Sequence, residues 1–290
     1  MSKKTIFITG CSADSLGASI AIELAKQQHF VYVTARNLSK IPTSLASLAN
    51  VAVLKLDISS PDSIAEAVKT VKEVNERNGL TGIDVLINSA ARAYTMPIQD
   101  MDIDEARRLF DTNVWGTLRL IQHLSPMIIP KKGRIVNISS VGAVVNTPWQ
   151  STYSASKAAL TRYSEILRHE LAPFGVSVVT VMLGTVATQF KTNEPIPDIQ
   201  PTSRYFPILD TITNWANGSA GPQGGPVHDV VESLLPYIIE DGRGGLAWIG
   251  HYSTIIRVLS HWGPAWILDK MVTQDQGLVE LKAVESAKDK

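Results

Sequence analysis

Residues 5–17 read TIFITGCSADSLG, and this stretch decides the fold. Five β-branched or apolar residues run from Thr5 to Thr9, then come Gly10, a six-residue loop and Gly17, which opens a stretch with helically spaced apolar positions. A strand that turns through glycine into a helix is suited to an anion. The glycine lets the backbone approach a diphosphate closely, and the helix N-terminus offers free amides and a partial positive charge. Asp14 stands in this loop and must face solvent or bind the loop's own amides, because a carboxylate repels a diphosphate.

The same alternation continues outward. Residues 31–35 (VYVTA), 51–56 (VAVLKL), 85–87, 134–138 (RIVNI) and 176–181 (VSVVTV) are short, almost wholly apolar runs. Strands apolar on both faces belong in a parallel sheet covered by helices. Amphipathic stretches at 18–28, 61–77, 102–127 and 151–171 supply those helices, and Ser60 and Pro61 mark the start of the second. The expectation is an α/β fold: a doubly wound parallel sheet with helices on both faces and its ligand site beyond the carboxyl ends of the strands.

The chain has 290 residues, 27 Lys+Arg against 27 Asp+Glu, and 44% hydrophobic residues, which bounds a globular domain without net charge. A neutral chain lacks the basic face that nucleic acid requires, so no nucleic-acid partner is expected. The lone cysteine, Cys11, rules out an intrachain disulfide, and a strand beginning at Thr5 leaves no room for a signal peptide, so a cytoplasmic location is expected. No run reaches the roughly 18 apolar residues of a membrane span. The histidines show no paired metal spacing, so no metal is expected. Residues 191–226, rich in Pro and Gly yet holding Tyr205, Phe206, Ile208, Leu209, Ile212 and Trp215, read as a lid over the ligand site. The apolar segment 246–280 forms two helical patches broken at Gly263 and Pro264. It is expected to pack on its own domain or a second subunit, with peripheral lipid contact as the sharper alternative.

Specific side chains narrow the ligand. A dinucleotide fold selective for NAD places an acid after the second strand, whereas here Ala35 is followed by Arg36 and Asn37. A guanidinium binds a 2′-phosphate, so Arg36 points to NADPH, assisted by Ser12 or Asn37. Asp57, after the third strand, is placed either for the adenine edge or for capping its own loop. Tyr153 and Lys157 lie four apart on a helix and share a face, and Ser140 stands thirteen residues upstream, just past the fifth strand. A phenol beside an ammonium and a cationic nicotinamide is a proton-transfer device.

These residues together resemble the short-chain dehydrogenases/reductases. The resemblance covers roughly residues 5–190: the loop TGCSADSLG, NSAA at 88–91, NVWG at 113–116, ISS at 138–140, YSASK at 153–157 and LGTVATQF at 183–190. It implies a Rossmann-type single domain with the lid and the C-terminal extension appended. It implies Tyr153 as general acid/base, Ser140 as donor to the substrate oxygen, Lys157 on the nicotinamide ribose, and Asn113 holding a helix distortion and a proton-relay water. It also implies Asn88 supporting the sheet near the adenosine, Gly10, Leu16, Gly17 and Ala90 along the cofactor, and Gly184, Val186 and Thr188 at its nicotinamide end. Three departures stand out: a lengthened glycine loop without its middle glycine, NSAA for the usual NNAG, and Leu183-Gly184 for the usual Pro-Gly. The long loop and the tail segments WGPAWILDK and QGL resemble a fungal branch that includes NADPH-dependent 1-acyldihydroxyacetone-phosphate reductases.

The expected function is therefore NADPH-dependent reduction of a lipophilic ketone, either acyl-dihydroxyacetone phosphate or a specialised-metabolite ketone. Lys191 and Arg204 are candidates for a substrate phosphate. The alternatives are a non-redox dinucleotide-binding member and an alcohol dehydrogenase working oxidatively. A dimer or tetramer built on the Tyr153 helix is expected.

Overall fold

The computed structural model describes residues 2–191, 195–240, 242 and 244–288. Strands β1 (Thr5–Ile8), β2 (Phe30–Ala35), β3 (Val51–Lys55), β4 (Val85–Asn88), β5 (Arg134–Ile138), β6 (Ser177–Leu183) and β7 (Gly245–Ile249) form one sheet in the order β3-β2-β1-β4-β5-β6-β7. Every neighbouring pair is parallel. The order reverses between β1 and β4, which makes that crevice the topological switch point where ligands bind in such sheets.

Eleven helices accompany the sheet among the described residues: α1 (Leu16–Lys26), α2 (Thr43–Ala46), α3 (Pro61–Asn78), α4 (Ile103–Phe110), α5 (Thr117–Ile128), α6 (Ser151–Leu171), α7 (Leu209–Asn217), α8 (Val227–Ile239), α9 (Ser253–Trp262), α10 (Ala265–Thr273) and α11 (Leu278–Lys288). Strand alternation sorts the core into two layers. Ile6, Ile8, Val31, Val33, Val136, Val179 and Val181 point to the layer covered by α1 and α8. Phe7, Tyr32, Leu86, Ile135 and Val178 point to the opposite layer, under α3, α5 and the end of α6. Each fully buried side chain of this size contributes on the order of 2 kcal/mol, so both faces demand cover and the sheet is enclosed. Ser60 accepts from the Ser63 amide and Pro61 opens α3, as the sequence signals require.

The 102–127 stretch carries the helix distortion that the resemblance implies at Asn113: a π-helical segment, Asp111–Gly116, separates α4 from α5. The structure departs from the sequence reading in two places. The sheet does not end before residue 190: β7 extends it, and α8 packs against α1. The 246–280 segment therefore opens inside the central sheet, and only its remainder is an appendage. Beyond β7, Ile256 and Leu268 pack on Val145, with Val141 and Trp248 alongside. A further cluster joins Ile199, Ile208 and Ile212 of the 191–226 segment to Tyr94, Met96, Leu109 and Trp149, with Tyr153 packed against it.

Candidate active site

The glycine loop is built by tight packing. Gly10 has φ +75°, and a Cβ there would lie 2.9 Å from the Ala90 Cα. At Gly17 a Cβ would lie 2.5 Å from the Gly10 carbonyl oxygen, so only glycine lets the first turn of α1 rest this close to the strand end. Ser15 caps α1, accepting from the Ala18 amide and donating to the Gly10 carbonyl at 2.8 Å. Buried Leu16 heads the helix. The loop is moored on the β2 side by Cys11 N to Thr34 O and Ala13 N to Lys40 O, with half-buried Ser12 between them. Asp14 is exposed at φ 58°, and its carbonyl accepts from Gln189 N, so its position in the lengthened loop keeps the carboxylate at the surface. The helix N-terminus, the Cβ-free crevice and exposed Arg36 at the end of β2 fit a dinucleotide whose adenosine carries a 2′-phosphate.

The neighbouring expectations divide. Asn88 is buried and donates to Asn137 Oδ1 at 2.8 Å, and Asn137 in turn donates to Ser164, so Asn88 does brace the central strands. Asp57 Oδ1 accepts from the Ser59 amide and hydroxyl, which is the loop-capping alternative. Gly184 has a structural reason of its own: a Cβ there would lie 2.0 Å from the His251 carbonyl oxygen, in the turn after β7. Val186 bridges to Gly225 and packs against the first core layer, while half-buried Thr188 lies on the strip that Gln189 ties to the glycine loop.

Ser140, Tyr153 and Lys157 converge. An ideal Cβ on Gly142 would lie 3.2 Å from Ser140 Oγ and 3.4 Å from Tyr153 Cε1, so hydroxyl and phenol ring flank one point. Lys157, 3% exposed, donates from Nζ to the Ile138 carbonyl at 2.8 Å and stands 5.8 Å from the Tyr153 ring centroid. Burial pushes its pKa down from 10.5 to about 8. Phe190 covers the other side of Tyr153, with ring centroids 5.9 Å apart. Asn113 lies in the π-helical segment. Its side chain grips the Arg92 backbone from both sides, accepting from the amide at 2.8 Å and donating to the carbonyl at 2.9 Å, and it also donates to Ser156.

Several contributors escaped the sequence reading. Thr9 Oγ1 accepts from the amides of Ser89 and Ala90 and pins the β4 loop against the glycine loop. Ser139, next to Ser140, donates to the Lys157 carbonyl and pairs with Thr161 at 2.6 Å. The doubled serine of ISS was the available signal for it. Lys191 and Arg204 have separate partners: Lys191 Nζ donates to the Trp215 carbonyl at 2.8 Å, and Arg204 pairs with Glu285 of α11 at 3.6 Å. Cys11 is fully buried, its thiol facing the Ile8 carbonyl, and burial pushes its pKa up to about 12.

A parallel doubly wound sheet with a glycine crevice at its switch point, a serine just past β5 and a tyrosine and lysine one turn apart on α6 defines a dinucleotide-dependent oxidoreductase class. The chain belongs to the short chain dehydrogenase family, whose model matches residues 4–196. It is 34% identical to the short-chain dehydrogenase ptmH of Penicillium ochrochloron, covering 96% of this chain and 100% of that one. It is 30% identical to the NADPH-dependent 1-acyldihydroxyacetone phosphate reductase of Schizosaccharomyces pombe, covering 90% and 85% respectively. Among solved structures, a short-chain dehydrogenase from Streptomyces avermitilis superposes with a TM-score of 0.75 at 26% identity, covering 99% of both chains.

Proposed function

We propose that the protein is an NADPH-dependent reductase of a lipophilic ketone. The observation that carries this is the shared point between Ser140 Oγ and the Tyr153 ring, with the buried Lys157 ammonium behind it. A bound reduced nicotinamide dinucleotide supplies hydride to the carbonyl carbon. Tyr153 delivers the proton to the carbonyl oxygen, and Ser140 donates a hydrogen bond to the same oxygen as charge builds on it. The positive charge of Lys157 stabilises the phenolate left on Tyr153 and binds the nicotinamide ribose. Asn113 keeps the residue-92 loop and the α6 face together through Arg92 and Ser156. Arg36 holds the 2′-phosphate, the amides at the head of α1 hold the diphosphate, and Asn88, Ala90, Gly184, Val186 and Thr188 line the nucleoside ends.

The described part of the 191–226 segment, residue 191 and residues 195–226, covers the ketone site, since it buries Ile199, Ile208 and Ile212 against the same cluster as Tyr153; residues 192–194 lie outside the described residues. That apolar lining favours a greasy substrate, and the separate partners of Lys191 and Arg204 favour one without a phosphate. The acyl-phosphate ketone is the second reading, favoured by the reductase of Schizosaccharomyces pombe. No helix among the described residues is long and apolar enough to cross a membrane. Trp262 and Trp266, 88% and 65% exposed, suit contact with a lipid surface, while Trp115, Tyr163 and Ile166 on the outer face near α6 suit a second subunit.

The test is NADPH and NADH titrated in parallel, with ketone turnover followed at the nicotinamide absorbance for wild type and Tyr153→Phe. The expected outcome is tighter NADPH binding and, in the variant, NADPH binding retained with turnover down by about 10³-fold or more. Turnover unchanged in Tyr153→Phe would overturn the assignment, and tighter NADH binding would overturn the role of Arg36.

A further inference from the structure

Two indoles from distant parts of the chain end on neighbouring carbonyls. Trp149, just before α6, donates from Nε1 to the Gln276 carbonyl, and Trp215 of α7 donates to the Asp275 carbonyl, both at 3.2 Å. Both tryptophans are 8% exposed, so neither N–H has a ready replacement in water. The accepting turn between α10 and α11 is specially shaped. Asp275 and Gly277 have φ of 57° and 76°, and Gln276 is buried with its side-chain amide bonded to the Val272 carbonyl. Gly277 lies against Ile208, where an added Cβ would come within 3.2 Å of the isoleucine Cβ.

What this turn holds are the parts surrounding Tyr153. Trp149 is bonded through its own carbonyl to the Met96 amide at 2.7 Å, and its ring meets Tyr205 edge-on at 5.4 Å. Leu281 of α11 packs on the same cluster as Ile199, Ile208 and Ile212. On the other side of the segment, Asp269 of α10 accepts from Asn146, and Leu268 packs on Val145, both in the stretch that follows Ser140. The 205–217 segment cannot swing away from Tyr153 without breaking the Trp215 bond and uncovering Ile208. None of these contacts touches the glycine crevice.

We propose that the 275–277 turn is a clasp that sets the closed position of the ketone cover, and that Trp215 and Trp149 are positioning residues acting on ketone affinity through it. The proposal rests on the reading of residues 191–226 as that cover. An open cover lowers the fraction of protein competent to bind ketone, and the apparent ketone affinity falls by that fraction while dinucleotide affinity does not. Loss of one buried indole bond lowers the closed-to-open ratio about fivefold, and the ketone KM rises by up to that factor, according to how far the closed cover predominates.

The experiment compares NADPH-loaded wild type with Trp215→Phe and Trp149→Phe, each of which keeps an aromatic ring and removes the N–H. Amide hydrogen exchange across 205–217, the NADPH Kd and the ketone KM and kcat are read for each. The expected result for Trp215→Phe is about fivefold faster exchange in 205–217 and a ketone KM raised by at most fivefold, with NADPH Kd and kcat within twofold. The double variant is expected to raise KM by at least the product of the single effects, because both bonds favour the same closed state. Should Trp215→Phe not fold, Gly277→Ala is expected to give the same pattern by pushing the turn off Ile208. Unchanged exchange, a KM that stays unchanged even in the double variant, or equal changes in ketone KM and NADPH Kd would overturn the clasp. Absence of ketone turnover in wild type would instead defeat the reductase reading, and the exchange measurement alone would then judge the clasp.

Discussion

Replacing Lys157 with methionine is expected to stabilise the protein while destroying its turnover. Burial lowers the lysine pKa from 10.5 to about 8, so holding that ammonium inside costs on the order of 3 kcal/mol at neutral pH. Methionine fills similar space without a charge but leaves the Ile138 carbonyl, now bonded at 2.8 Å, without its donor, which returns about 1–2 kcal/mol. The net gain of about 1–2 kcal/mol corresponds to a melting temperature roughly 3 °C higher in a chain of this size. The pH dependence identifies the cause. Because the folded-state pKa lies below the unfolded one, the unfolded chain binds more protons between about pH 8 and 10.5. The penalty in wild type is therefore complete below about pH 8 and is relieved as pH rises through 10.5. Calorimetry of the cofactor-free proteins should show Lys157→Met melting above wild type at pH 7, with the gap closing near about pH 9 and reversing by about pH 10.5, where the uncharged lysine still donates to the Ile138 carbonyl. A variant that melts lower than wild type at pH 7, or a gap that ignores pH, would refute the reasoning.

Arg36→Leu should weaken NADPH binding by about 30-fold, the worth of charge-assisted hydrogen bonds to a phosphate, while NADH affinity moves less than twofold. Fluorescence titration with both nucleotides checks this, and equal losses would sink it. Gly184→Ala should cost about 2–4 kcal/mol, because its Cβ would fall 2.0 Å from the backbone oxygen of His251 and neither backbone can yield freely. Chemical denaturation measures that cost, and a loss below about 0.5 kcal/mol would show that the turn after β7 is pliant.

Much of this architecture was legible because its signals are local. Short, almost wholly apolar runs located six strands, and α6 spans Ser151–Leu171 just as its periodicity indicates, which placed Tyr153 and Lys157 on one face. The glycine loop was legible because Gly10 and Gly17 are demanded by close backbone contacts. β7 was hidden because it is an edge strand with Leu246 exposed, so its five residues merge with the apolar stretch beyond them. The π-helical turn left no periodic trace and was signalled only by the family resemblance at Asn113; the contact that demands glycine at its end, Gly116 against the Ile58 carbonyl, joins residues far apart in the chain. The same holds for Lys191 and Arg204. A sequence shows two cations near a candidate lid, but not that Trp215 and Glu285 already engage them.

Cys11 has a practical side. Its sulfur lies beneath the glycine loop with a pKa near 12 and no exposed surface, so at neutral pH it offers almost no thiolate to an alkylating reagent. A cysteine introduced on the exposed rim of α7 would then be the sole site for a maleimide dye. A fluorophore could report the movement of that helix in the otherwise unaltered enzyme, without first engineering away the native sulfur.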